Sequence, residues 1–486
     1  MLFNSFSFVI FLPIVFALYW SLQKTPLRLQ NFFLLIASYV FYGWWDWRFL
    51  GLILVSSSTD YLCGILMHRS GTEKGRKSFL LLSLLINLSL LGFFKYFNFF
   101  VDSFADLLRE IGINPDMHTL SIVLPVGISF YTFQTLSYTI DIYRRRIEPT
   151  TDVVSFFAFV AFFPQLVAGP IERASNLLPQ FLRRRSLDYG MVREGLQQML
   201  WGMWKKVAVA DFVASTVNLI YTNPGAKDGL SLWIGTFLFG IQIYCDFSGY
   251  SDIAIGTAKL FGFKLMRNFA KPYFSRDIPE FWRRWHISLT TWFRDYVFIP
   301  LCGGVQHKPG KARRFFAILA TFSLSGLWHG AAWHFVVWGV LHGLFYLPGM
   351  LFRRRKLQRV SATESGGIRA ILPVAVTFLS VTFAWIFFRS QSLSTAFTIA
   401  GRILNPVTFL IPGNGWLHSQ VYGFLPICVV VLLADWVTRK RECPLFAMDS
   451  WRKPLRWLVY TAVLWSLLYH LPPPGVNPQE FIYFQF

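Results

Sequence analysis

The sequence predicts an all-α, polytopic membrane protein with about 11–13 transmembrane or re-entrant helices, one per apolar run of roughly 20 residues. Three observations predict it. Of the 486 residues, 54% are hydrophobic and only 15% charged, where a soluble domain carries about 25% charged residues. Apolar runs recur along the whole length, so the length reads as one helical membrane body rather than about three soluble domains. Several of these runs are broken by proline and glycine, and broken backbone at membrane depth is tolerated only inside protein or along a wet cavity. A cavity or tunnel is therefore expected within the bundle.

The runs are Phe6–Leu22, Asn31–Trp45, Leu50–Met67, Phe79–Phe97, Leu120–Ile142, Val153–Val167, Val192–Val213, Ser231–Ile253, Phe315–Leu327, Ala332–Leu351, Ile371–Phe388, Val421–Val437 and Leu455–Leu471. Leu124-Pro125-Val126-Gly127 and Phe163-Pro164, with Ala168-Gly169-Pro170, exclude plain straight helices at those places. Phe6–Leu22 has no basic flank before it and no small-x-small site after it, so it reads as a first membrane helix rather than a removed signal peptide. The five cysteines, Cys63, Cys245, Cys302, Cys428 and Cys443, are scattered without a C-x-x-C pair. They indicate neither a disulfide framework nor a metal site.

The formal net charge is +21. The basic residues sit in short runs between apolar segments: Lys74 to Lys77, Arg144 to Arg146, Arg183 to Arg185, Arg353 to Lys356 and Arg439 to Arg441. That is the pattern of cytoplasmic loops rather than of a nucleic-acid binder. The same cations suit an anionic cytosolic donor. Lys24 and Arg28 place the first loop in the cytoplasm and the N-terminus outside, and the basic loop Thr438 to Arg456 puts the C-terminal tail outside too. Arg359–Arg369 is the best candidate for a flexible loop.

Chemistry concentrates in two segments. In Phe281–Pro300, FWRRWHISLTTWFRDYVFIP, a helix would align Trp282, His286, Leu289, Phe293 and Tyr296 on one face. Arg283, Arg284, Arg294 and Asp295 fall off it, which suits an interface or funnel wall. His286 within that stripe is either satisfied by a backbone carbonyl or functional. In Phe315–Leu351, His329 lies among Ser325, Gly326, Gly330, Ala331 and Ala332. An ionisable group inside a membrane segment is a functional candidate, and small neighbours let a substrate or another backbone come close. Tight helix packing is the competing reading. His334 and His342 read as packing or network residues. IYCDFSGYSDIAIG sets Asp246 and Asp252 around Ser248, Gly249 and Tyr250, most simply as a buried polar network bracing the cavity. Lys95 reads as snorkelling to the interface. No P-loop, dinucleotide fingerprint, H-E-x-x-H or G-x-S-x-G motif is present.

Histidine suits acyl transfer because its unperturbed pKa near 6.5 lets a neutral imidazole take a proton from an attacking hydroxyl at physiological pH. Two histidines facing one cavity divide the work, one as base and one orienting the donor or its developing oxyanion. Without a serine elbow or a base-paired cysteine, direct transfer is simpler than a covalent relay.

The stretches FLLIASYVFYGWW, LGFFKYFNFF, LPVGISFYTFQTLSYTIDIYR, FFPQLVAGPIER, YCDFSGYSDIAIG, NFAKPYFSRDIPEFWRRWHISLTTWFRDYVFIPL, GLWHGAAWHFVVWG and FIYFQF run in order from Phe33 to Phe486. Together they make the chain resemble the membrane-bound O-acyltransferase (MBOAT) family, and within it the bacterial branch typified by alginate O-acetylation. The blocks around WRRWHISL and GLWHG carry the most specific likeness. The resemblance implies a single domain over residues 1–486, with its core signature over about 120–350, and helices ringed around a central tunnel. It implies His329 as the essential histidine and His286 as the second signature position. Trp328, Trp285, Arg283, Arg284, Asp246, Ser248 and Tyr250 are candidate substrate-binding residues. Leu341, where relatives often carry an aromatic, removes support for a role of His342.

The implied activity is transfer of an acetyl group from a cytosolic thioester, acetyl-CoA first, to a polysaccharide or peptidoglycan hydroxyl. No tightly bound cofactor and no metal are expected. The implied setting is the lipid of the bacterial inner membrane. No soluble region is long enough to complete transfer outside, so a separately encoded periplasmic acyltransferase is the expected partner. A D-alanyl or longer-acyl transferase and a glycan or donor transporter are the alternatives.

Overall fold

The structure is a computed structural model that describes residues 1–115, 119–167, 169–307, 309–351, 371–410, 415–471, 479 and 481–484. The basic run Arg353–Lys356 and the stretch Arg359–Arg369 lie outside the described residues. Every regular element among the described residues is helical. Five helical stretches there are long and apolar enough to cross a membrane: Phe6–Lys24, Leu27–Arg69, Glu73–Glu110, Gly229–Leu260 and Ile371–Arg389. Their outer faces carry large apolar side chains such as Phe6, Leu85 and Val376 exposed by more than half, as lipid requires and water does not favour. The chain is a multi-pass membrane protein.

Two compact units are formed, one from Met1–Met199 with Ile253–Met266 and the other from Leu200–Asp252 with Arg267–Phe486. In the first, the expected breaks occur where proline and glycine put them. Residues 121–125 are not helical, and the helix Ile128–Tyr143 begins only after Gly127 at φ 77°. A side chain at Gly127 would also run into the Leu166 carbonyl oxygen, so glycine is needed there for conformation and space alike. Helix Val153–Ala161 ends at Phe162, and a separate turn Phe163–Leu166 follows with Pro164 in its first turn. Arg185 braces this unit: its guanidinium donates to Asn31 Oδ1 (2.5 Å) and to the Tyr19 hydroxyl (2.5 Å), and lies over the Phe263 ring.

In the second unit, the residues after Met203 form a π-helical stretch, Trp204–Asp211. The widened turn carries Lys205 and Lys206, both buried. Such π segments cost hydrogen-bond geometry and cluster at functional places. The tight helix pair Lys311–His329 and Trp333–Leu351 is closed by glycine: a Cβ at Gly326 would overlap the Phe335 carbonyl, and one at Gly339 the Phe322 carbonyl. The small residues near His329 thus admit a neighbouring backbone, one of the two readings open from sequence.

One sequence expectation is corrected. Phe281–Pro300 is not a continuous helix with His286 on an aromatic stripe. Helix Ile278–Arg284 ends at Trp285, whose backbone is extended, and His286 sits in the left-handed region at φ 42° before helix Ile287–Phe293 and a π turn, Arg294–Phe298. The break is stitched by residues 268–270: Ala270 N donates to the Arg284 carbonyl (2.8 Å) and Ile287 N to the Asn268 carbonyl (2.9 Å). These bonds satisfy ends that helix continuation would otherwise satisfy. His329 is the last residue of helix Lys311–His329, with Gly330 extended behind it.

Candidate active site

His329 is 3% exposed and His286 fully buried. Their ring centroids lie 6.4 Å apart, with the ring planes 56° apart. Around His329 stand Trp328 (4.9 Å between centroids), Trp338 (5.2 Å), Tyr483 (5.3 Å) and Phe388 (5.5 Å). The His286 ring meets Phe247 edge-on at 4.5 Å and Trp328 at 6.0 Å. Aromatic walls exclude water and strengthen any polar contact made between them.

His286 is held from one side. Its Nδ1 lies 3.1 Å from Asn268 Oδ1 and 3.4 Å from Ser288 Oγ. Its Nε2 is buried without a hydrogen-bond partner among the described residues. The left-handed backbone at His286 costs about 1–3 kcal/mol and persists only where surroundings impose it.

The C-terminal segment forms a wall of the same cluster. Ile482 N donates to Asp246 Oδ2 (2.7 Å). That bond sets the turn Ile482–Phe484, and with it the Tyr483 ring between Phe247 (4.5 Å) and His329. Phe481 packs on Tyr250 at 4.6 Å. Asp246 is in turn paired with Lys206 (2.7 Å), which also reaches Asp211 (2.8 Å) and the Gln479 carbonyl (3.2 Å). The neighbouring Lys205 donates to Ser248 Oγ (2.8 Å) and pairs with Asp252 (2.7 Å). Two adjacent lysines thus each grip a carboxylate of helix Gly229–Leu260, which is the polar network read around Asp246 and Asp252. A small pocket, open at its mouth, adjoins the Lys206 pair and is lined by Asp211, Gln242, Asp246, Arg389 and Ile482 among others.

The structure therefore gathers His286, His329 and Trp328 at one place, with Asp246 and Tyr250 one contact behind through the C-terminal turn. Ser248 faces Lys205. Trp285 packs instead among Tyr244, Phe269, Phe281 and Trp385. Arg283 is exposed, and Arg284 pairs with Glu280 at 2.6 Å. His334 Nδ1 lies 3.0 Å from the Phe387 carbonyl, and His342 Nδ1 accepts from Trp282 Nε1 at 3.3 Å, both as packing residues would. Sequence reasoning did not single out Asn268, Tyr483, Lys205 or Lys206. Two ammonium groups inside an apolar run were a readable signal, whereas nothing local marked Asn268.

The family model of the membrane-bound O-acyltransferase family matches residues 144–393. The chain is 39% identical over 412 residues to a probable alginate O-acetylase AlgI of Pseudomonas syringae pv. tomato, covering 83% of this chain and 74% of that one. It is 34% identical over 429 residues to a peptidoglycan O-acetyltransferase of Helicobacter pylori (82% and 79% covered), and 26% identical over 311 residues to a teichoic acid D-alanyltransferase of Streptococcus thermophilus (60% and 75% covered). The histidine pair lies within the matched region, and the chain belongs to the membrane-bound O-acyltransferase family and is an acyltransferase.

Proposed function

We propose that this protein moves an acetyl group from a cytosolic thioester, acetyl-CoA, to a hydroxyl of an exopolysaccharide or cell-wall glycan, directly or through a periplasmic partner acyltransferase. The observation that carries the reading is the pair of buried imidazoles, 6.4 Å apart, in one aromatic enclosure. A neutral imidazole at His329 takes the proton of the attacking hydroxyl while its oxygen bonds to the thioester carbonyl carbon. The C–S bond then breaks, and the proton passes to the leaving sulfur, giving an ester and a free thiol. Charge develops on the carbonyl oxygen within walls that exclude water, so hydrolysis of the thioester is suppressed. The basic loops supply the attraction for an anionic donor, and an inner-membrane setting follows from a cytosolic donor and an external acceptor.

Acetyl is favoured over D-alanyl because the acetylating relatives are the more similar, at 34–39% against 26% identity. The test is incubation of membranes carrying the protein with acetyl-labelled acetyl-CoA. Label is expected in an O-ester of a glycan or of a periplasmic protein, and to disappear with His329→Ala. A label that enters no ester, or an ester formed only from a D-alanyl donor, overturns the acetyl reading.

A further inference from the structure

We propose that Asn268 is a positioning residue that locks His286 in one tautomer and so makes it a hydrogen-bond acceptor for the acyl donor; this rests on His286 belonging to the transfer site. Asn268 is fully buried, and its orientation is fixed by groups whose roles are not adjustable. The Ser288 backbone N–H, an obligate donor, points at Asn268 Oδ1 at 3.3 Å, and the Ser288 hydroxyl donates to the same atom at 2.9 Å. On the other side, Asn268 Nδ2 donates to Ser251 Oγ at 3.1 Å. The atom facing Ser288 is therefore the oxygen, and a flipped amide would set two donors against each other.

The same oxygen lies 3.1 Å from His286 Nδ1. An oxygen without a proton can meet a ring nitrogen only as an acceptor, so Nδ1 carries the hydrogen. The Ser288 hydroxyl has spent its single proton on Asn268, and at 3.4 Å from Nδ1 it offers only a lone pair to the same N–H. In the neutral ring the lone pair then falls on Nε2, the buried nitrogen that has no partner among the described residues.

The consequence is a definite division of labour. An Nε2 lone pair cannot steady a developing oxyanion, which needs a donor. It can receive an N–H, and the carrier arm of a coenzyme A thioester has amide N–H groups near the acyl end. His286 thus orients the thioester, and His329 is left to take the proton of the hydroxyl. The strained backbone at His286 is explained by the same device: residues Ile287 and Ser288 are both tied to Asn268, which turns the chain so that the imidazole presents Nε2 to the enclosure.

The test is nitrogen NMR of the purified, detergent-solubilised protein with ring-labelled histidine, the His286 signals being assigned by their loss in His286→Gln. The expected wild-type pattern is a protonated Nδ1 and an unprotonated Nε2 at His286. Asn268→Leu should abolish that preference and raise KM for acetyl-CoA on the order of tenfold, the worth of about 1.4 kcal/mol, with a smaller change in kcat. Asn268→Asp keeps an acceptor oxygen and should restore the tautomer. A wild-type His286 protonated at Nε2 overturns the proposal, as does Asn268→Leu with an unchanged tautomer and an unchanged KM. The expected tautomer in a protein that transfers no acetyl group would support the role of Asn268 in setting the ring and overturn the transfer reading alone.

Discussion

In the first unit the carboxyl group of Asp60 is buried among three helices and fully engaged: Ser83 donates to it at 2.5 Å, and Asn87 Nδ2 reaches both its oxygens at 3.0 Å. The surrounding hydroxyls close on one another, with Ser56 donating to Asn87 Oδ1 (2.6 Å) and Thr139 Oγ1 lying 3.0 Å from Ser83 Oγ. In the second unit the His286 ring is buried as deeply, yet only one of its nitrogens is engaged. A satisfied buried network specifies helix packing. A polar atom buried without a partner costs about 1–3 kcal/mol, and in the proposed role of His286 a donor N–H offsets that cost at Nε2. Asp60 and His286 look alike as isolated polar residues within apolar sequence, and only the fold shows that one is enclosed by its own network and the other is held from a single side.

Variants that break this comparison should differ in kind. His329→Ala should lower acetyl transfer by roughly two to four orders of magnitude, the range for loss of a general base, while the protein still elutes as a folded species on size-exclusion chromatography. Lys206→Met leaves the buried carboxylate of Asp246 and the partly exposed one of Asp211 without their cation. It should destabilise the protein by about 3–5 kcal/mol, read as a lower midpoint of thermal unfolding in detergent, and loosen the turn at Ile482. Asn87→Ala should cost about 1–3 kcal/mol of stability but leave the turnover of the folded fraction unchanged.

The smallest effect concerns pH. Glu172, in the loop after Leu166, is fully buried, with Met266 N and Asn176 as donors; burial pushes its carboxyl up to about 7 from the usual 4.5. A raised carboxyl binds its proton more tightly in the folded state. Its stabilising contribution is therefore complete below about pH 4.5 and lost as pH rises through 7. Thermal midpoints of the wild type should fall across that window, and Glu172→Gln should flatten the slope even though it removes an acceptor.

The helical class was legible because composition and run length are local signals; the two histidines stood out as ionisable groups in apolar stretches with a packing reading equally open, and only the resemblance to the family singled them out. The break at Trp285–His286 was not, since Trp282, Leu289, Phe293 and Tyr296 keep helical spacing across it. The bonds that stop the helix come from residues 268–270, far from any local pattern. Asn268 stays hidden for the same reason, being 18 residues away from His286 in sequence. Tyr483 was included in a recognisable tail, but its place beside His329 depends on one backbone bond to Asp246. Lys205 and Lys206 were readable as buried cations, and only their partners required the fold. Arg283 and Arg284 show the reverse: they flank the signature histidine in sequence, yet one is exposed and the other paired with Glu280.

The most direct measurement compares release of free thiol from acetyl-CoA by purified, reconstituted wild type, His329→Ala and Asn87→Ala, each normalised to folded protein. The account predicts wild-type turnover for Asn87→Ala and near-complete loss for His329→Ala. Wild-type thioester cleavage by a folded His329→Ala protein would contradict it.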